Sequence, residues 1–235
     1  MYFLYMEGPF KKIKTFTIRL MDYIAVIDYE HLDNGMFLSS FARAIAQQKE
    51  SRGVIIHSDS AYTERLLQSG MFREDAIVRA IRDLNHRLIA LLADYGVSAI
   101  GLNGHQRSLV SRTVDGVKLN VGQLTALPKT PHLLISSLTD VPGESRPGVL
   151  GLPNLAELLQ KELNIPEVIL FSMDDAEEMI RRDLPGKVQK EDLDTHFSSS
   201  NIPFEFREIP FSFRLSSTHS FAGYPSIKGT TSISP

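Results

Sequence analysis

Residues 53–110, GVIIHSDSAYTERLLQSGMFREDAIVRAIRDLNHRLIALLADYGVSAIGLNGHQRSLV, constrain the fold more than any other part of the chain. Val54, Ile55 and Ile56 form an unbroken apolar run, the pattern of a strand buried on both faces of a parallel sheet. His57, Ser58, Asp59 and Ser60 follow, rich in helix-capping types, and residues 61–68 then have helical composition closed by Ser69 and Gly70. From residue 74 to 95, Ile77, Ile81, Leu84, Leu88 and Leu91 recur at steps of four and three, which predicts a long amphipathic helix. Gly96 ends it, and residues 97–102 read as a second buried strand. Strand–helix–strand units build open α/β sheets whose ligands sit beyond the carboxyl ends of the strands. The segment from His57 to Ser60 occupies such an end.

The same residues, taken in order, resemble the acetylglutamate kinase branch of the amino acid kinase family. His57 stands at a strand end, Arg73 shortly before Asp75, Asn85 within the long helix, and Gly101-Leu102-Asn103-Gly104 after the second strand. The resemblance implies an open, mainly parallel sheet with helices on both faces, a three-layer αβα architecture. It assigns residues 1–165 to an amino-acid-binding lobe and residues 166–235 to a shortened remnant of a nucleotide-binding lobe, within one continuous domain. It also implies a homodimer or association with a related kinase.

The resemblance is weakest where phosphoryl transfer is performed. In the family a Lys and two glycines end the first strand; residues 15–28 are the expected first strand here, with Arg19, Met21 and Asp22 at those places. Arg19 keeps a positive charge, but its planar fork differs from a compact ammonium; it is equally read as an ordinary exposed strand residue. Three glycines after the family's strand-end His cradle anionic groups with backbone N–H donors, and Ser58, Asp59 and Ser60 stand there instead. Two unit negative charges about 4 Å apart repel by about 4 kcal/mol at an effective dielectric of 20. The competing role for Asp59 or Ser60 is to cap the following helix.

Arg73 corresponds to a residue that clamps the amino acid's α-carboxylate, or it faces solvent before the long helix. Gly151 and Pro153 replace the family's substrate-binding Asn and lysine-orienting Asp, leaving Asn154 as the nearest polar substitute. Met173-Asp174-Asp175 resembles a loop that reaches toward the nucleotide, and Lys187 is the candidate for a second catalytic lysine. His57 is expected to be structural.

Elsewhere, residues 31–50 predict a helix with Phe37, Phe41, Ala44 and Ile45 on its core face. Residues 108–120 predict a hairpin around Asp115-Gly116. Residues 132–137 and 168–172 predict strands, residues 155–163 a helix, and residues 204–215 a strand or hairpin interrupted at Pro210. Residues 223–235 are rich in Gly, Ser, Thr and Pro.

A chain of 235 residues is ample for a sizeable core. The net charge of −3 with no basic block argues against a nucleic-acid partner. The lack of cysteine excludes disulfides and thiolate metal sites. No apolar run approaches the roughly 18 residues of a membrane span, and the opening lacks the order of a signal peptide. The expectation is a cytoplasmic protein with no membrane partner.

Two functions are weighed. One is a degenerate acetylglutamate kinase-like protein that keeps an amino-acid-binding or interaction role, with an acylated amino acid such as N-acetylglutamate as ligand. The other is an active ATP-dependent carboxylate kinase acting on N-acetylglutamate or a related N-acyl amino acid in arginine biosynthesis. Mg-ATP is a cofactor only in the second case, and no metal site is expected otherwise.

Overall fold

A computed structural model describes residues 21–172, 186–196, 202–226 and 230–235. Its centre is an eight-stranded sheet. In chain order the strands are β1 (Tyr23–Ile27), β2 (Gly53–His57), β3 (Ala99–Asn103), a hairpin of β4 (Val110–Thr113) and β5 (Gly116–Leu119), β6 (His132–Ser136), a small ribbon of β7 (Leu138–Thr139) and β8 (Gly148–Val149), β9 (Glu167–Phe171), β10 (Lys187–Gln189), β11 (Phe213–Ser216) and β12 (Thr231–Ser234). The large sheet has the order β10-β12-β11-β9-β1-β2-β6-β3. Its six strands from β11 to β3 are mutually parallel, while β12 runs antiparallel to β11 and β10 follows β12.

Alternation along β1 explains how both faces become covered. Tyr23, Ala25 and Ile27 join Ile55 in a core beneath α2 (Gly35–Gln47) and α4 (Arg73–Asp94). Ile24 and Val26 join Val54 and Ile56 in the opposite core, against α6 (Leu152–Leu163). The remaining α-helices among the described residues are short: α1 (Tyr29–Leu32), α3 (Tyr62–Gln68), α5 (Val121–Thr125), α7 (Leu193–His196) and α8 (Thr218–Phe221). The open, mainly parallel sheet with helices on both faces is the architecture expected from the sequence. The sheet is continuous across residues 165–166, because β1 pairs directly with β9.

Several boundaries differ from expectation. Among the described residues the first strand is Tyr23–Ile27, so Met21 and Asp22 stand before its amino end, opposite the crevice, and residues 15–20 of the expected strand lie outside the described residues. The helix expected over residues 31–50 is two helices, because Asn34 breaks it and its side chain accepts the Phe37 N–H at 3.0 Å to start α2. α6 begins at Leu152, with Pro153 in its first turn where a missing N–H costs nothing. The alternating pattern of residues 204–212 is not a strand. Phe206 N–H bonds to the Pro203 carbonyl in a tight 3-10 turn, Pro210 has no N–H for a ladder, and β11 starts only at Phe213. The end of the chain is drawn into the sheet as β12.

Candidate functional site

Strand order reverses beside β1: the chain proceeds from β1 to β2 on one side and returns with β9 on the other. In open α/β sheets such a switch point, at the carboxyl ends, is where a crevice for ligands forms. Three strand ends meet there: Asp28 after β1, Ser58-Asp59-Ser60 after β2 and Ser172 after β9.

The protein's own groups bridge the switch point. Asp28 is buried and caps α1, its Oδ1 accepting the His31 N–H at 3.0 Å. The same oxygen lies 2.8 Å from His31 Nδ1, while His31 Nε2 lies 3.1 Å from the Ser172 carbonyl oxygen. A carbonyl only accepts, so Nε2 is the donor toward Ser172, and the ring's other nitrogen faces the Asp28 carboxylate. The imidazole is packed on Phe37, with ring centroids 3.9 Å apart.

The loop after β2 has its polar atoms largely satisfied from within. Ser60 is fully buried; its Oγ accepts the Tyr62 N–H at 3.1 Å and its carbonyl accepts the Thr63 N–H at 2.9 Å. Ser60 therefore satisfies helix-start donors of α3 itself. Ser58 Oγ accepts from Ser137 Oγ at 2.8 Å. Burial raises the Asp59 carboxyl above its usual range, against the charge of Arg73.

A third carboxylate comes from far along the chain. Glu205 is an exposed residue by surface area, yet its carboxyl is pushed up to about 7, by desolvation first and then by the charges of Asp28 and Asp59. Tyr29, next after Asp28, has its phenol raised by burial and by the charge of Asp59 among other acids. Asp28, His31 and Glu205 were not singled out by sequence reasoning. Asp28 carried the same signal as His57, a polar residue ending an apolar run; Glu205 carried none, because only the tertiary fold brings it near β1 and β2.

The other sequence-derived candidates are dispersed. Arg73 opens α4, exposed, with its Nη2 3.8 Å from Glu64 Oε1 and close enough for its charge to bear on Asp59. Asn154 is exposed on the first turn of α6. Lys187 is exposed at the start of β10, four strand spacings from β1, which is about 19 Å across the sheet. Arg19 and the Met173-Asp174-Asp175 loop lie outside the described residues. Among the described residues no three of His, Asp or Glu are placed to share a metal ion, and no helix is long and apolar enough to cross a membrane. The described residues of the crevice do not fit the triphosphate of ATP: the charges of Asp28 and Asp59 bear on Glu205 there, and Arg73 is the cation whose charge reaches Asp59.

Neither a protein-family model nor a curated protein matches the sequence. Solved structures do match. N-acetylglutamate synthase from Neisseria gonorrhoeae, complexed with coenzyme A and L-arginine, superposes with a TM-score of 0.62 at 14% identity, over 92% of this chain and 62% of the synthase. Aspartate kinase from Synechocystis gives 0.62 at 12% identity, over 91% of this chain and 40% of that one. An isopentenyl phosphate kinase gives 0.57 at 10% identity, over 90% of this chain and 99% of that one. The chain thus spans less than two thirds of the synthase and of aspartate kinase but nearly all of the isopentenyl phosphate kinase, and its mainly parallel αβα fold is the one found in these amino acid kinase-like structures.

Proposed function

We propose that this chain is an acetylglutamate kinase-like protein that does not transfer phosphoryl groups and keeps the fold as a binding module. Its ligand is an acylated amino acid such as N-acetylglutamate, taken at the rim by Arg73, and it associates with a second copy or a related kinase. The observation that carries the proposal is the meeting of Asp28, Asp59 and Glu205 at the switch point. Phosphoryl transfer works by fixed cations and N–H donors around accumulating negative charge. Carboxylates in that place oppose the transition state, and Glu205 is already forced toward its neutral form by burial first and then by the other two.

Arg73 supports the binding half of the proposal. Its guanidinium is exposed, engaged only loosely with Glu64 at 3.8 Å, and presents a fork suited to a carboxylate. The test is calorimetric titration with Mg-ATP and then with N-acetylglutamate, followed by a phosphorylation assay. The expected result is no heat from Mg-ATP, binding of N-acetylglutamate, and loss of that binding in Arg73→Ala. Binding of both ligands with turnover would overturn the proposal. Failure of both to bind would leave protein association alone, which sedimentation of the full chain measures.

A further inference from the structure

We propose that a cavity beside the edge strand β3 is a second ligand site, for an aliphatic carboxylate whose anionic group pairs with Arg107. The cavity has a volume of about 710 Å³, within the several-hundred-Å³ range of small-molecule pockets. Leu102, Leu109, Leu124 and Leu127 give it an apolar lining, while Gln106, Arg107 and Gln123 supply polar groups. It is separate from the switch point, because β3 lies three strand spacings from β1, about 14 Å across the sheet. The inference does not depend on whether the crevice at β1 transfers phosphate.

Two features of the wall point to a ligand. Arg107 and Ser108 both adopt left-handed backbone angles, with φ of 52° and 51°. Such conformations are unfavourable for residues with a Cβ and persist where the surroundings impose them, often at ligand sites. Here Gln123 Nε2 donates to the Arg107 carbonyl at 2.5 Å, and Ser108 Oγ donates to Asp140 Oδ2 at 2.5 Å. These bonds hold the chain just beyond the Arg107 side chain, at its carbonyl and at Ser108. The second feature is the guanidinium itself, which makes no hydrogen bond or ion pair among the described residues although it lines the cavity.

The lining sets the ligand's chemistry. Aliphatic walls favour a hydrocarbon body, and a planar cationic fork favours a carboxylate. A single cation among the lining residues, with Asp140 bonded to the neighbouring Ser108, disfavours a doubly charged phosphate. Gln106 is already oriented, its Oε1 accepting the Asn103 N–H at 3.3 Å, so its amide N–H groups are available to a bound oxygen.

The experiment is calorimetric titration of the full chain with sodium octanoate and with 1-octanol, on the native protein, Arg107→Gly and Leu124→Phe. Glycine accepts a positive φ without strain, so Arg107→Gly retains the loop while removing the cation. The expected result is octanoate binding that weakens at least about tenfold in Arg107→Gly, as loss of a charge-assisted pair predicts. Leu124→Phe should lose binding by filling the cavity, and 1-octanol should bind more weakly than octanoate throughout. Saturating N-acetylglutamate should leave the octanoate isotherm unchanged. No octanoate binding, equal binding of octanol, an unaffected Arg107→Gly, or competition by N-acetylglutamate would each overturn the proposal.

Discussion

Asn85 Nδ2 on α4 donates to the buried Nε2 of His57 at 3.3 Å and also lies 3.2 Å from the Leu102 carbonyl. His57 Nδ1 in turn donates to the Ser58 carbonyl at 3.1 Å, which fixes the tautomer. Gly101 lies directly beside this contact: a Cβ there would stand 2.5 Å from Asn85 Oδ1 and 2.9 Å from Ile89 Cγ1. Helix α4 is thereby locked to β2 and β3, and the start of the 58–60 loop is held by the lock.

Removing the lock should destabilise the whole sheet. Asn85→Ala leaves the His57 ring nitrogen and the Leu102 carbonyl with one donor fewer in a buried place, a loss of about 1–3 kcal/mol. Gly101→Ala forces Asn85 aside and should cost a similar amount through overpacking, about 1–3 kcal/mol. In a chain of this size each kcal/mol lowers Tm by about 2–4 °C. Thermal unfolding of both variants checks this, and an unchanged Tm in either would mean the contact is not maintained in solution.

Acid should weaken the fold through two histidines. Burial holds His57 and His132 down to about 4, and His132 Nδ1 accepts the Gly53 N–H at 3.1 Å, which requires that nitrogen unprotonated. An unfolded histidine titrates near 6.5 (roughly), so between about pH 6.5 and 4 the unfolded chain binds protons that the native chain refuses. Their stabilising effect is fully present above pH 6.5 and is lost as pH falls, by at most about 3 kcal/mol for each. The urea midpoint should drop between pH 7.5 and pH 5, and His132→Asn should flatten that drop. An equally steep profile in the variant would assign the acid sensitivity to other groups.

The lock also explains what was legible from sequence. The elements that carry it were legible locally: the apolar run 54–56 located β2, the stripe of Ile77, Ile81, Leu84, Leu88 and Leu91 located α4, and residues 97–102 located β3. The contacts among His57, Asn85 and Gly101 themselves had no local signature; the three stood out only through the family resemblance. Asp28, His31 and Glu205 are assembled by strand pairing between β1 and β9 and by the turn before β11, relations with no local signature. While residues 213–215 do fall in β11, residues 204–212 misled for a related reason. Their apolar–polar alternation serves burial of Phe206 and Ile209 in a turn, and periodicity alone does not separate that from a strand.

Glu205 makes the electrostatics of the switch point measurable. Its carboxyl is raised to about 7 by desolvation and by Asp28 and Asp59. For a carboxylate raised in the native state, stability is present below the unfolded value near 4.5 and is lost as pH rises toward 7. Glu205→Gln should therefore raise the urea midpoint at pH 8 and leave it nearly unchanged at pH 4. Asp59→Asn should lower the Glu205 pKa, seen by carboxyl carbon NMR titration. A Glu205 that titrates near 4.5 in the native protein would show that the three carboxylates do not share one environment.

Restoring glycines alone should not create a kinase. Replacing Ser58, Asp59 and Ser60 together by Gly removes one carboxylate and the Ser60 Oγ acceptor of the Tyr62 N–H, so a stability loss of about 1 kcal/mol is expected from that bond. Asp28 and Glu205 stay in place, and His31 still spans Asp28 and the Ser172 carbonyl across the crevice. Backbone N–H groups freed in the loop would then face anionic neighbours that oppose a phosphoryl group. No phosphorylation of N-acetylglutamate above the native protein's level is expected. Turnover in the triple variant would mean that Asp59 alone had blocked the reaction, and that the remaining carboxylates tolerate the charge that develops during transfer.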